Sequence, residues 1–420
     1  MKKIMIVIFF FTAVFYSNIL TQIDENNYFN FLQKSYTSKT DNDNEFLIKQ
    51  YNMFLNSFPN SPKGDEVLYY LGQLYLEERD YFDALSCFAK ISFLYPNSSR
   101  TKDNKVAYTQ IVMDHESRSF EDIYTEFLNK LNENKPHQDF LVSYFNYLFF
   151  IRETNLEDLN DVLISDINFY MQHFPSKIQN SDQLLLWLAE IYENKRDWSE
   201  AVLIYKKLIE IFPTSSMVPQ ALFKTGYLEY EEKSNPQIAK EIFVQLITDY
   251  GESEFAGDAQ FFLSELYEKE LDNTNEAITN YRLVVETYPA NKYAVESLKR
   301  VAEILEKQDK YEEAIASYYQ IVELYPQHPF APEALIEIKT LYVRRLENYE
   351  KAIETLKFYA KQYPDREDAA ELLFDAAEIY EDDLQNNQAA IDTYHQVIND
   401  FPNSDYAGRA KDRIDSLSEK

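Results

Sequence analysis

An all-α fold, built as a tandem array of helical hairpins, is predicted by three features of the sequence. Only six Gly and 14 Pro occur in 420 residues, too few for the many turns of an all-β chain, which need residues tolerant of positive φ. An aromatic-Pro pair recurs as Phe58-Pro59, Tyr95-Pro96, Phe174-Pro175, Phe212-Pro213, Tyr288-Pro289, Tyr325-Pro326, Tyr363-Pro364 and Phe401-Pro402, with Pro136 and Tyr250-Gly251 filling the two vacancies. The intervals are 37, 40, 39, 38, 38, 38, 37, 38 and 38 residues, and a fixed period of this size marks a repeat architecture. Third, Ala84, Ala201, Ala239, Ala277, Ala314, Ala352 and Ala390 each lie twelve residues before their repeat's Pro or Gly. With 28 Ala in the chain, chance would place fewer than one at ten such positions, so the register is real.

Taken in order, the first residues read as an export signal. Lys2 and Lys3 form a basic start, and Ile4 to Phe15 is apolar apart from Thr12; the run is short for a spanning helix, which needs roughly 20 apolar residues. Ser17 and Thr21 are the nearest small residues that can precede a cut, and no clean small-x-small site follows. Residues 1–21 are therefore a signal peptide or, alternatively, an uncleaved signal anchor that tethers the chain to a membrane through residues 4–20. No Cys lies near this segment to accept a lipid. Residues 22–45 read as a polar lead-in. Asp41-Asn42-Asp43-Asn44-Glu45 starts like a calcium loop, but Phe46 stands where the loop needs Gly and Asn52 where it needs a bidentate Glu.

Repeats begin at residue 46 and run regularly to 96. Four residues after the register Ala comes an aromatic, Phe88, Tyr205, Phe243, Tyr281, Tyr318 or Tyr394, with Leu356 the exception. That spacing puts both side chains on one helix face, where Ala lets two helices approach and the aromatic fills the seam. Pro then ends the second helix, because it restricts the residue before it and breaks the hydrogen-bond ladder. Ser, Thr and Asn after the Pro, as in Pro59-Asn60-Ser61 and Pro213-Thr214-Ser215, are suited to cap the next helix. Residues 97–175 read as degenerate repeats, with Tyr124 and Leu163 in place of the Ala and a dense aromatic run from Tyr144 to Phe150. This stretch is either a larger local core or a partner-binding break. Regular repeats return over 176–402, and 403–420 reads as a C-terminal capping helix.

Leu71, Gly72, Tyr75, Ala84, Phe88 and Pro96 follow the order of the tetratricopeptide repeat, which the chain resembles from about residue 45 onward. The resemblance implies a right-handed α-solenoid of about nine to ten hairpins. The longer period, and the large residues Ile91, Leu208, Leu246, Val284, Ile321 and Val397 seven after the Ala, are similar to repeats of bacterial envelope proteins. Examples are the lipoprotein of the β-barrel assembly machinery, whose lipidation cysteine is missing here, and the periplasmic coordinator of the Tol-Pal system. By the same resemblance Tyr69, Gln73, Leu76, Leu186, Glu190 and Glu193 would face a groove that takes a protein or peptide partner; ordinary packing is the competing reading of these positions.

Composition narrows the function further. Against 41 Lys and Arg stand 71 Asp and Glu, a net charge of -30, and such a surface repels phosphate backbones, so nucleic acid is not an expected partner. Neither a Gly-rich phosphate loop nor a His-Glu-x-x-His or Cys-His set occurs; His115, His137, His173, His328 and His395 are scattered along the chain. No catalytic residue, cofactor, metal or small-molecule substrate is expected. Cys87, the lone cysteine, reads as a small buried hydrophobe. An exported, non-enzymatic scaffold in the periplasm or cell envelope is the resulting expectation, with the membrane-anchored form as its alternative.

Overall fold

The computed structural model describes residues 24–100, 137–174 and 180–418, together with 103, 107, 125 and 127–131. The expected export segment and Tyr124 lie outside the described residues. The chain divides into two units, one ending at Asp197 and the other beginning at Trp198. Among the described residues there is helix and turn but no strand.

In the first unit the helices are α1 (Glu25–Thr37), α2 (Asn44–Ser57), α3 (Gly64–Glu78), α4 (Tyr81–Leu94), α5 (Phe140–Glu153), α6 (Asn160–His173) and α7 (Ser181–Asn194). Each packs on the next, and α4 meets α5 directly with Phe93 and Phe150 ring centroids 5.2 Å apart. Here the structure corrects the expected polar lead-in: residues 25–37 are a helix that buries Tyr28, Phe29 and Leu32. Their i, i+1, i+4 spacing makes an apolar stripe among polar neighbours, and it closes a first hairpin, with Tyr28 and Phe54 at 5.6 Å.

The second unit holds α8 (Trp198–Ile211), α9 (Val218–Glu231), α10 (Pro236–Asp249), α11 (Ala256–Lys269), α12 (Thr274–Thr287), α13 (Ala294–Lys307), α14 (Tyr311–Leu324) and α15 (Phe330–Arg344). It continues with α16 (Tyr349–Gln362), α17 (Ala369–Glu378, extended by a π turn to Asp383), α18 (Asn387–Asp400) and α19 (Asp405–Ser418). Consecutive helices pack throughout, and α9 also touches α11. After the last Pro, α19 buries Ala407, Ala410 and Leu417 against the preceding hairpin.

Burial follows the repeat register. All seven register alanines have no exposed surface, and the residues four and seven further on are buried in every one of those repeats. Where Ala is absent the offsets still hold: Leu47, Tyr51 and Phe54 on α2, and Leu163, Ile167 and Tyr170 on α6, are all buried. Each fully buried Leu, Ile or Phe contributes about 1.5–3 kcal/mol, so the recurring triplet supplies much of the stacking energy. The glycine of the first helix has a matching role. A Cβ at Gly72 would lie 2.6 Å from the Phe88 ring and one at Gly226 2.7 Å from the Phe243 ring, so the register aromatic lies against backbone that only Gly leaves bare.

Three further devices shape the hairpins. Arg79, Arg196, Ser234, Asp272, Asp309, Glu347 and Gln385, each five residues before its register Ala, adopt φ of 48° to 65°. None is Gly, although a left-handed residue costs roughly 1–2 kcal/mol in an L-amino acid. Next comes the cap of the second helix: Asn273, Asn348 and Asn386 accept from the backbone N–H of Glu276, Lys351 and Ala389. The aromatic-Pro pair ties repeats together as well as ending helices. Tyr250, Tyr325 and Tyr363 hydroxyls donate to the carbonyls of Pro213, Pro289 and Pro326 one repeat back, at 3.3, 2.9 and 3.2 Å. Of the serines after Pro, Ser404 caps α19 as expected, accepting from the Ala407 N–H at 3.3 Å, whereas Ser61 and Ser215 act one turn before the helix start, accepting from the N–H groups of Lys63 and Met217. They hold the entering turn, while the N-cap residues Lys63 and Met217 carry no side-chain cap bond.

Candidate functional site

Tyr69, Gln73 and Leu76 share one face of α3, as their i, i+4, i+7 spacing requires, and all three are half-buried. The Arg100 guanidinium sits 4.6 Å from the Tyr69 ring centroid, and burial holds the Tyr69 hydroxyl above its ordinary pKa. On α7, Glu190 and Glu193 are half-buried, and Glu190 pairs with Arg152 of α5 at 2.8 Å. Leu186 is corrected: it is only 5% exposed. It belongs to the continuous buried run Leu184 to Ala189, whose apolar side chains leave it no solvent-facing side. The surface at this level comes from α5, where Phe149 is 49% exposed and its ring lies 6.0 Å from that of Trp187. Phe145 stacks on the same indole at 5.7 Å. The aromatic run flagged the helix; which of its rings stay in solvent depends on the packing around α5.

The corresponding first helices of the second unit carry charge. Arg300 of α13 pairs with Glu268 of α11, Lys339 of α15 with Asp375 of α17 at 3.5 Å, and Arg413 of α19 with Glu381 at 2.7 Å. Between them Glu337, itself exposed, is pushed above its usual carboxylate range, first by partial desolvation and then by Glu306 and Glu303. Asp375 and Glu378 are raised as well, chiefly by burial. Pairing links one first helix to the next, and the surplus carboxylates leave this face acidic. Such a face suits recognition by hydrogen bonds and charge.

A buried polar network lies in the first unit, and it was not foreseen. Lys90 of α4 donates to Asp166 of α6 at 2.6 Å; the same carboxylate accepts from Tyr147 of α5 at 2.6 Å, and Tyr147 shares a 2.8 Å hydrogen bond with Ser86. Polar residues inside the apolar stretches Ala84–Leu94 and Val162–Tyr170 were a visible signal. Their pairing, 76 residues apart in the chain, was not. Cys87, beside Ser86, is 3% exposed, and burial pushes its thiol up to about 12, which keeps it protonated and inert as a nucleophile.

Residues 66–98, 183–215 and 371–404 match the family model of the tetratricopeptide repeat. Residues 228–331 match that of the soluble NSF attachment protein. No curated protein matches the chain. Among solved structures, a tetratricopeptide repeat protein from Parabacteroides merdae ATCC 43184 is 14% identical and covers 72% of this chain and 100% of its own, with a TM-score of 0.33. YrrB, described as a TPR protein with an unusual peptide-binding site, is 16% identical over 50% of this chain and 96% of its own, with a TM-score of 0.34. MamA from Desulfovibrio magneticus RS-1 is 15% identical over 45% of this chain and 97% of its own, also at 0.34.

Proposed function

We propose, from the premise that this chain is a tetratricopeptide-repeat protein, that it is an exported, non-enzymatic scaffold binding protein or peptide partners in the cell envelope. The observation that carries the reading is the presentation of side chains on successive first helices. Tyr69, Gln73 and Leu76 on α3, and Phe149 with the Arg152–Glu190 pair on α5 and α7, offer apolar, amide and charged groups together. A peptide laid across helices recognises such mixed faces through a few anchors. A net charge of -30 opposes nucleic acid, and partners with basic segments gain most from it.

Export rests on Lys2, Lys3 and the apolar run Ile4 to Phe15. Outer-membrane protein assembly and the coordination of cell wall and division are the roles that its envelope-type repeats suggest. A second reading, a scaffold tethered by an uncleaved anchor, is favoured by the want of a clean cleavage site before Thr21. No helix among the described residues is long and apolar enough to cross a membrane, so a tether would come from residues 4–20. Terminal sequencing of envelope-derived protein separates the two: loss of about the first 21 residues means cleavage, and a start near Met1 means the anchor. Recovery of the tagged chain from intact envelopes, with mass spectrometry of its companions, tests the scaffold itself. Companions lost in the Tyr69→Ala, Phe149→Ala double variant are the expected result. Fractionation of the full chain with cytoplasmic markers would overturn the envelope assignment.

A further inference from the structure

The second helices of the first unit, with Leu68 of α3 and Tyr144 of α5, line a slot of ≈ 350 Å³ to which none of Tyr69, Gln73, Leu76, Phe149 and Glu190 contributes. Its floor is α4 and its walls are α2 and α6. We propose that this slot binds an uncharged, extended peptide segment of a partner, with one apolar side chain between Leu55, Leu94 and Phe169 and a main-chain carbonyl accepting from Lys90 Nζ.

The volume is at the small end of ligand pockets, which run from about 300 to 1,000 Å³, and suits a side chain with its flanking backbone. Leu55, Leu94 and Phe169 all line it and all are half-buried, so apolar surface there is still open to be covered. Lys90 supplies the polar anchor. Its side chain is 15% exposed, and an ammonium carries three donors. Asp166 takes one, the Tyr147 ring lies 5.5 Å away on another side, and no further acceptor for it is found among the described residues. Asp166 is itself held by Lys90 and by Tyr147, with its side chain 8% exposed, so the pair is fixed and electrically neutral.

Charge decides between a carbonyl and a carboxylate as the incoming group. Asp83 lies within electrostatic reach of both Lys90 and Asp166, and burial, then Asp80, raises its pKa, as expected where negative charge is already crowded. A further full negative charge is opposed there, whereas a neutral carbonyl accepts from Lys90 without that repulsion. Asn168 and Gln172, both exposed, present primary amides, which match the alternating N–H and C=O groups of an extended chain; the Asn52 amide nitrogen already donates to Ile48 and Tyr75 and leaves only its carbonyl oxygen.

The test is selection of a phage-displayed library of random peptides on the full-length protein, followed by affinity measurement of the enriched peptides. Asn168→Trp plugs the slot from an exposed position, and Lys90→Met removes the donor. Enriched peptides with an uncharged apolar centre are expected; Lys90→Met should weaken them about tenfold or more, as loss of a hydrogen bond to a charged group does, and Asn168→Trp should weaken them by at least as much because the indole occupies the slot. Tyr69→Ala should leave them unchanged. Because Lys90→Met leaves Asp166 unpaired and can unfold the unit, Asn168→Trp with an unaltered melting curve is the deciding variant. Equal binding to Asn168→Trp, acidic centres in the enriched peptides, or no enrichment would each overturn the proposal. Peptides lost in Tyr69→Ala but kept in Asn168→Trp would refute the slot and leave the first-helix reading standing.

Discussion

Replacing Gly226 by Ala drives a methyl group into the face of Phe243. The new carbon would sit 2.7 Å from Cε1 and 2.9 Å from Cδ1 of the ring, well inside the separation of about 3.5–4.0 Å at which carbon atoms attract. Phe243 is fully buried, with Phe223 and Phe262 centroids at 6.3 and 6.2 Å, so its retreat displaces other rings. Overpacking of this kind costs about 1–3 kcal/mol. Against it stands the better helix propensity of Ala, worth about 1 kcal/mol over Gly. The expected net result is a loss of about 1 kcal/mol. Gly408 on α19 is the counterpart: nothing lies within 4 Å of its would-be Cβ, so Gly408→Ala keeps the propensity gain and should stabilise by about 1 kcal/mol. Urea melts followed by circular dichroism measure both. A third arm places Gly226→Ala in a Phe243→Leu background, where the coupling between the two sites should recover about 1 kcal/mol. If Gly226→Ala stabilises as Gly408→Ala does, the close approach of ring and backbone assigned to the repeat glycine is wrong.

Other consequences can be checked with the same melts. Ala277 has no exposed surface, so Ala277→Leu should cost about 1–3 kcal/mol by overpacking, while exposed Glu276→Leu should stay within about 0.5 kcal/mol of wild type; equal shifts would contradict the role of the register alanines. Glu347 holds φ at 48°, so Glu347→Gly should gain about half a kcal/mol and Glu347→Val lose more than about 1 kcal/mol. Loss in both variants would show that the side chain matters more than the backbone. Glu337 has a raised pKa from partial desolvation, Glu306 and Glu303, so the folded protein holds its proton more tightly than the unfolded chain, and stability falls as pH rises from the ordinary carboxylate pKa through the raised one. Glu337→Gln should therefore raise the melting temperature at neutral pH, with the gain vanishing in acid below the ordinary carboxylate range; a gain independent of pH would exclude this electrostatic cause.

The repeat register was readable because each hairpin uses the same offsets to bury the same face. The Ala, the aromatic four on and the large residue seven on are all interior, and the short spacing between them is set within one helix. The groove positions were readable only in part. On α3 the count landed on half-buried side chains, but on α7 it reached Leu186, which is buried. The two helices end alike, with Asp80 N–H donating to the Tyr75 carbonyl and Asp197 N–H to that of Tyr192, each carbonyl nine residues before its register Ala. The count is therefore in register on both helices, and whether the position it reaches is covered is set by the neighbouring side chains, which the offset does not carry. The left-handed turn residues are not legible in the sequence for a different reason. They are Arg, Ser, Asp, Glu and Gln, types with no common preference for positive φ, so only the geometry of the closing hairpin selects them.

By itself, then, the sequence determined the helical class, the period and the interior positions, since in a stack of hairpins each repeat meets chiefly its neighbours and every neighbour imposes the same constraint. It did not determine that residues 25–37 close a first hairpin, that α4 packs against α5, or that Lys90 finds Asp166 and leaves a slot above the pair. The hairpin needs α2 to bring Phe54 against the short α1 stripe, and the other two need helices far apart in sequence to arrive at one place. A periodic pattern specifies which face a helix buries, whereas contacts across 76 residues depend on how the intervening elements stack, and that was decided only by the tertiary packing.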